Sequence, residues 1–220
     1  MDYMSKITDK YFDLAIIDPP YGIGVKGDMI KSRVLKMSMK HRNDPGKPVD
    51  KSKYKEKEWD KKPPVEYWNE LFRVSKNQII WGGNHFVLPL SKGWIFWDKL
   101  QTKEANFSAG ELAWTSFDSR IRKFTHQWAG FAKTNPEKRI HPTQKPVELY
   151  EFCLLTFAKK GDKILDTHLG SGSSAIASFK LGFYFVGIEI DDDYYSDSVK
   201  RIKHYIDFYK KPLFDLYDIK

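Results

Sequence analysis

Lys163-Ile164-Leu165-Asp166-Thr167-His168-Leu169-Gly170-Ser171-Gly172-Ser173-Ser174-Ala175 decides how the rest of the chain reads. Its first four residues are a short apolar run closed by an acid, the mark of a buried strand. Residues 170–175 fit the pattern G-x-G-x-x-A, in which glycines turn the chain sharply and let backbone approach a ligand. Residues 174–181 predict a helix of small side chains that can lie close to a sheet. Phe183-Tyr184-Phe185-Val186-Gly187-Ile188 is the next strand, and Glu189 closes it 23 residues after Asp166. Strand, glycine loop, helix, strand and acid in this register predict a parallel α/β sheet. The second acid is then placed to accept hydrogen bonds from both hydroxyls of a ribose. An adenosine-containing ligand satisfies this pattern, and on these residues alone both NAD and S-adenosylmethionine do.

Working back toward the N-terminus, Phe12-Asp13-Leu14-Ala15-Ile16-Ile17 is a second buried strand. Asp18-Pro19-Pro20-Tyr21 lies just past its carboxyl end, where open α/β sheets bind ligands. The two prolines fix their own φ angles, remove two backbone donors and hold the preceding residues extended, so the carbonyls here are rigidly aimed. A carboxylate, an aimed carbonyl and a ring are presented together. A specified tetrapeptide arises by chance in roughly one chain in a thousand of this length. The bland alternative is a proline turn carrying a surface acid. A dehydrogenase explains neither this tetrapeptide nor a basic surface, which turns the choice of ligand toward S-adenosylmethionine.

The basic surface is local. The 220-residue chain carries a net charge of +8, and residues 31–62 hold twelve Lys or Arg against five Asp or Glu, a surplus of seven. Pro45, Gly46, Pro48, Pro63 and Pro64 mark the stretch as a loop, and its charge suits a phosphate backbone as partner. One cysteine, Cys153, excludes an intramolecular disulfide and leaves no Cys-based metal cluster, and no metal is expected. The N-terminus lacks a signal-peptide core and no apolar run reaches membrane-span length, so a soluble, cytoplasmic protein is expected.

Between the two ends the pattern alternates strand and helix. A helix is predicted from Pro64 to about residue 75, strands over 78–81 and 94–97, and a hairpin pairing 111–115 with 123–125 across a turn near Asp118-Ser119. Aromatic and basic residues interleave from Trp114 to Arg139. A nucleic-acid surface and a hairpin with one buried aromatic face share that pattern. His141-Pro142-Thr143-Gln144-Lys145-Pro146 leads into a helix over 147–160 with Thr143 or a neighbour as its cap. A last helix runs to about Tyr209, and residues 213–219 predict an edge strand. No second domain is evident: residues 1–220 read as one domain with two candidate nucleic-acid-contacting insertions, a basic loop over 24–62 and a hairpin region over 111–140.

The chain resembles the beta-class DNA amino-methyltransferases. Asp18-Pro19-Pro20-Tyr21 looks like their catalytic motif, residues 165–174 like their methionine-binding loop, and residues 141–146 like the segment that precedes it. Trp97-Asp98-Lys99 with Glu111 and Trp114 is similar to the family's middle segment. Where the family usually reads Asp-Pro-Phe, this chain has Asp166-Thr167-His168. The resemblance implies a Rossmann-like, mostly parallel seven-stranded sheet with helices on both faces and a circularly permuted motif order, the strand of Asp18 lying beside that of Asp166. It implies transfer of a methyl group from S-adenosylmethionine to the N6 amine of a flipped adenine in DNA. Asp18, Pro19, Pro20 and Tyr21 would be catalytic. Asp166, His168, Gly170, Ser171, Gly172, Ser173, Glu189, His141, Thr143 and Lys145 would hold the cofactor. Cytosine N4 is the alternative acceptor, and a non-catalytic DNA-binding or assembly subunit that has kept the fold is the alternative of another class. A homodimer or an accessory specificity subunit would fit the small space left for sequence recognition.

Overall fold

The structure, a computed structural model, describes residues 1–23, 60–101, 108–129, 132–133 and 139–210. Contacts divide the chain into a main unit, Met1–Pro19 with Val65–Lys220, and a second unit, Pro20–Pro64. The basic stretch belongs to the second unit, of which residues 20–23 and 60–64 are described; there the Gly22 amide donates to Asp60 Oδ1 at 2.7 Å. The remainder of that stretch and the edge strand expected over 213–219 lie outside the described residues.

The main unit is built on strands β1 (Phe12–Ile17), β2 (Ser75–Trp81), β3 (Trp94–Asp98), β4 (Gly110–Thr115), β5 (Arg122–Thr125), β6 (Trp128–Ala129), β7 (Ala132–Lys133), β8 (Lys163–Asp166) and β9 (Tyr184–Gly187). Its helices are α1 (Val65–Val74), α2 (Val147–Phe157), α3 (Ser173–Leu181) and α4 (Asp192–Lys210). Seven strands form one sheet in the order β5-β3-β4-β2-β1-β8-β9, and β6 and β7 form a separate small hairpin. Every strand of the large sheet runs parallel to β1 except β4, which is antiparallel to both its neighbours.

Alternation along the strands explains why helices cover both faces. Leu14 and Ile16, Ile79 and Trp81, Ala113 and Ile164 point to one face, where Leu149, Cys153 and Leu154 of α2 and Ile176 of α3 complete a core. Ala15 and Ile17, Ile80, Trp114 and Leu165 point to the other, against Tyr67, Leu71 and Val74 of α1. Cys153 is fully buried in the first core, and burial raises its thiol well above the ordinary range, which keeps it inert.

Three local expectations are corrected. β4 and β5 do not pair with each other; β3 lies between them, antiparallel to β4 (Trp97 opposite Glu111) and parallel to β5 (Trp97 opposite Phe124). A buried central strand needs partners for backbone groups on both edges, and β3 takes one from each side, so residues 116–121 cross over instead of turning back. Thr143 does not cap α2. Pro146 stands at the N-cap in extended conformation with no side-chain cap, and the helix ends at Phe157 because Ala158 is extended. α1 stops at Val74, where Ser75 Oγ donates back to the Leu71 carbonyl at 2.6 Å and the chain enters β2 without a loop. In the aromatic and basic stretch, Trp114 and Trp128 are buried and Phe124 packs on the core, whereas Arg120 and Lys123 are exposed. Its described rings therefore serve the buried face.

Candidate active site

β1 and β8 pair in parallel, Leu14 opposite Ile164 and Ala15 opposite Leu165, so Asp18 and Asp166 leave the same sheet edge although 148 positions separate them. β9 continues that edge, with Asp166 opposite Gly187, and brings Glu189 there. β4 runs the other way, so its first residues, Gly110 and Glu111, lie at this same edge beside Asp98 and Trp97. One antiparallel strand thus brings an acid from its beginning to where the other strands bring acids from their ends.

The glycine loop is built from behind. Gly170 and Gly172 have φ of +52° and +77°, the left-handed region that glycine enters without a steric cost. Gly172 is the N-cap of α3. Asp166 is buried at 1% exposure, and its two oxygens accept the His168 amide at 2.9 Å and the Ser174 hydroxyl at 2.5 Å. Burial raises this carboxyl to about 7 against those two hydrogen bonds, with Asp18 and Glu189 adding to the rise. Asp166 therefore shapes the loop. Arg201 of α4, itself buried, donates to the Ser171 carbonyl at 2.7 Å and to Ser173 Oγ at 3.0 Å, and Ser173 Oγ donates to the Lys145 carbonyl at 2.7 Å.

Glu189 Oε2 accepts the Gly170 amide at 2.7 Å, and Oε1 accepts the amides of Ile190 and Asp191 at 3.0 Å each. Two carboxylate oxygens offer about four acceptor sites, so capacity for a ribose hydroxyl remains. His141 packs edge-on against Tyr194 at 4.3 Å, and its Nδ1 takes the Thr143 amide at 3.3 Å and meets Thr143 Oγ1 at 3.1 Å. The His141 ring is also the nearest group a side chain at Gly170 would meet, at 3.7 Å. Burial, then the Lys145 charge, lower His141 to about 4, against a pull upward from Asp191, so the ring is neutral at physiological pH. His168 is lowered to about 4 mainly by burial. It stands edge-on to Tyr67 at 5.3 Å, and Tyr67 OH and Thr167 Oγ1 share a hydrogen bond at 2.5 Å. The imidazole that replaces the family's usual ring thus fills an aromatic place against α1.

The Lys145 carbonyl accepts Ser173 Oγ of the loop, while its side chain reaches the end of β1. Its ammonium meets Asp18 Oδ2 at 2.5 Å and Glu111 Oε2 at 3.0 Å, and Glu111 Oε1 in turn pairs with Lys99. A buried cation requires carboxylate partners, and the sheet edge supplies two. The Lys145 ammonium also lies 5.9 Å from the Trp81 ring centre, and that of Lys99 lies 4.8 Å from Trp97. Pro19 closes the main unit next to Asp18; Pro20 and Tyr21 belong to the second unit.

The N6/N4 DNA methylase family profile matches residues 35–200. The chain belongs to this family. The methylase is 25% identical, over 91% of its length and 86% of the relative's, to the type II methyltransferase M2.DpnII of Streptococcus pneumoniae. It is 31% identical over 96 residues to M2.LlaDCHI of Lactococcus lactis subsp. cremoris, a match spanning 44% of this chain and 32% of that one. In fold it is similar to M1.HpyAVI in complex with S-adenosylmethionine, with TM-score 0.52, 20% identity, and 90% and 92% of the two chains covered. It is also similar to the cytosine-N4-specific PvuII DNA methyltransferase, with TM-score 0.53, 11% identity, and 94% and 87% covered. The methylase is thus a DNA methyltransferase dependent on S-adenosylmethionine. The residues present fit that cofactor: the strand-end carboxylate of Glu189 is held across the glycine loop by the Gly170 amide and keeps acceptor capacity for a ribose hydroxyl. Among the described residues no helix is long and apolar enough to cross a membrane.

Sequence reasoning took Glu111 and Lys99 only as part of a resemblance, and missed Tyr67 and Arg201. Arg201 falls three residues after the fully buried Ser198 and next to Ile202 on the inner side of α4, where a charged residue needs a partner.

Proposed function

We propose that the methylase transfers a methyl group to the N6 amine of adenine in DNA, with Asp18 and the Pro19 carbonyl as the acceptors that hold the amine. The observation that carries this reading is the parallel pairing of β1 with β8, which brings Asp18 and the glycine loop to one sheet edge. S-adenosylmethionine, when bound, supplies an electrophilic methyl group. The residues that would hold it are Glu189 on the ribose side, the backbone of Gly170 to Ser173 at the methionine part, and His141 with Thr143 alongside. Asp166 and His168 act on that site through the loop they shape.

An exocyclic amine is a weak nucleophile because its lone pair is delocalised into the ring. Two acceptors on its two hydrogens localise the lone pair and stabilise the positive charge that develops on nitrogen. Tyr21, three residues after Asp18, would stack on the extruded base and offset the few kcal/mol lost in unstacking it. The basic residues of 31–62 would hold the phosphate backbone. Asp at the first motif position favours adenine in the resemblance, where Ser favours cytosine. The naming of relatives as type II methyltransferases supports a role in restriction and modification, and with it a cytoplasmic setting.

The test is to incubate the protein with labelled S-adenosylmethionine and unmethylated duplex DNA, then digest and identify the nucleoside. N6-methyl-2′-deoxyadenosine is the expected product. Label in N4-methylcytosine overturns the base assignment, and unlabelled DNA overturns the catalytic reading. Asp18→Ala is expected to abolish transfer while cofactor binding, followed by calorimetry, persists; loss of both would mean that Asp18 belongs to the cofactor site.

A further inference from the structure

Four charged side chains alternate in sign along the carboxyl edge of the sheet: Lys99, Glu111, Lys145, Asp18. They come from the end of β3, the start of β4, the segment before α2 and the end of β1. Their side chains are 16%, 23%, 7% and 12% exposed, so the chain is mostly out of water. Buried ion pairs seldom repay their desolvation, and apolar residues of the same size would serve stability as well or better. Stability therefore does not account for this arrangement, and its position at the end of β1 points to the chemistry.

We propose that Lys145 is a positioning residue for methyl transfer, holding Asp18 ionised from its Oδ2 side, and that Glu111, backed by Lys99, cancels the Lys145 charge toward the reacting amine. The inference rests on the reading of Asp18 as the amine's acceptor. In the transfer step the nitrogen lone pair forms the new N–C bond as the C–S bond breaks and its electron pair passes to sulfur. The nitrogen then carries a positive charge until it releases a proton to water. A carboxylate that took up a proton beforehand would lose the charge that stabilises this nitrogen. Among the described residues, the charged and titratable groups around Asp18 include Lys145 ahead of α2, Glu111 of β4, Tyr150 of α2 and Asp166 of β8. Among these Lys145 is the cation, and its direct contact with Oδ2 at 2.5 Å favours the charged form of the carboxylate. An isolated ammonium beside the amine would also oppose the positive charge developing there. Glu111 at 3.0 Å removes that penalty, and burial of Glu111 is outweighed by Lys145 and Lys99, which hold its carboxyl below the usual range and therefore ionised.

The experiment is the pH profile of single-turnover methyl transfer at saturating S-adenosylmethionine and DNA for wild type, Lys145→Met, Lys145→Arg and the double variant Glu111→Gln with Lys145→Gln. The double variant removes one charge of each sign and keeps hydrogen-bonding groups, so it answers the question where Lys145→Met fails to fold. Loss of Lys145 is expected to cut the rate at pH 7 at least tenfold and to move the acid limb up by a pH unit or more. Cofactor affinity is expected to change less than threefold, and Lys145→Arg to restore the wild-type limb. A folded Lys145→Met or double variant with the wild-type rate and acid limb overturns the inference. Asp18→Ala run alongside separates the two levels: an active Asp18→Ala overturns the acceptor reading itself, whereas an inactive one beside an unshifted Lys145 profile overturns the positioning role alone.

Discussion

Replacing Gly172 by alanine puts a number on how tightly the glycine loop is built. At φ +77° an alanine pays for the left-handed backbone, about 1–2 kcal/mol. Its Cβ would lie 2.9 Å from Ile202 Cδ1, 3.0 Å from Ile202 Cγ1 and 3.4 Å from Ser198 Cβ, so the Ile202 side chain must give way by several tenths of an ångström. Overpacking of this kind costs about 1–3 kcal/mol, for a total of about 2–5 kcal/mol. In a domain of this size each kcal/mol lowers the melting temperature by about 2–4 °C, so a fall of about 4–20 °C is expected. Gly170→Ala is the control. Its φ of +52° carries the backbone cost, but its Cβ would meet only the His141 ring at an ordinary 3.7 Å. Ile202→Val removes the nearer clashing atom, so it should cost about 1 kcal/mol in wild type and recover about that much in Gly172→Ala. Urea denaturation of the three single variants and of the double variant Gly172→Ala with Ile202→Val measures each value. Equal costs for Gly172→Ala and Gly170→Ala, or strict additivity with Ile202→Val, would refute the packing argument.

Acid should destabilise the fold between about pH 6.5 and 4. His141 and His168 stay neutral down to about 4 when folded but protonate near 6.5 when unfolded, so the unfolded chain binds more protons in that window and each ring contributes up to about 3 kcal/mol of the loss. Asp166 works against this because the folded form keeps its proton up to about 7, so denaturation followed from pH 7 to 4 should fall more steeply in Asp166→Asn. Arg201→Met leaves the Ser171 carbonyl and Ser173 Oγ short of a charged donor and should cost about 2–3 kcal/mol with a weakened affinity for S-adenosylmethionine, read by denaturation and calorimetry. Tyr67→Phe breaks the link from α1 to Thr167 and should cost about 1 kcal/mol while leaving the alternating charges at the end of β1 untouched, which wild-type-like pH dependence of transfer would confirm.

Residues 163–189 and 12–21 carried the architecture by themselves, because a buried parallel strand is a continuous apolar run and a glycine loop between strand and helix has few other uses. Both patterns are local, and each places its acid at a strand's carboxyl end without reference to the rest of the chain. The partner of β3 was not local. Residues 111–115 and 123–125 have the look of a hairpin in one dimension, and only the two unfilled edges of Trp94–Asp98 decide that they flank it. The same tertiary fact decided the candidate site. An antiparallel β4 brings Glu111 to the edge where β1 ends, and the buried Lys145 ammonium, expected against the cofactor, turns to Asp18 and Glu111 because those carboxylates are what the folded edge offers it. Motif spacing records which groups are present. Which group neutralises which depends on desolvation and distance, and both exist only once the sheet has formed.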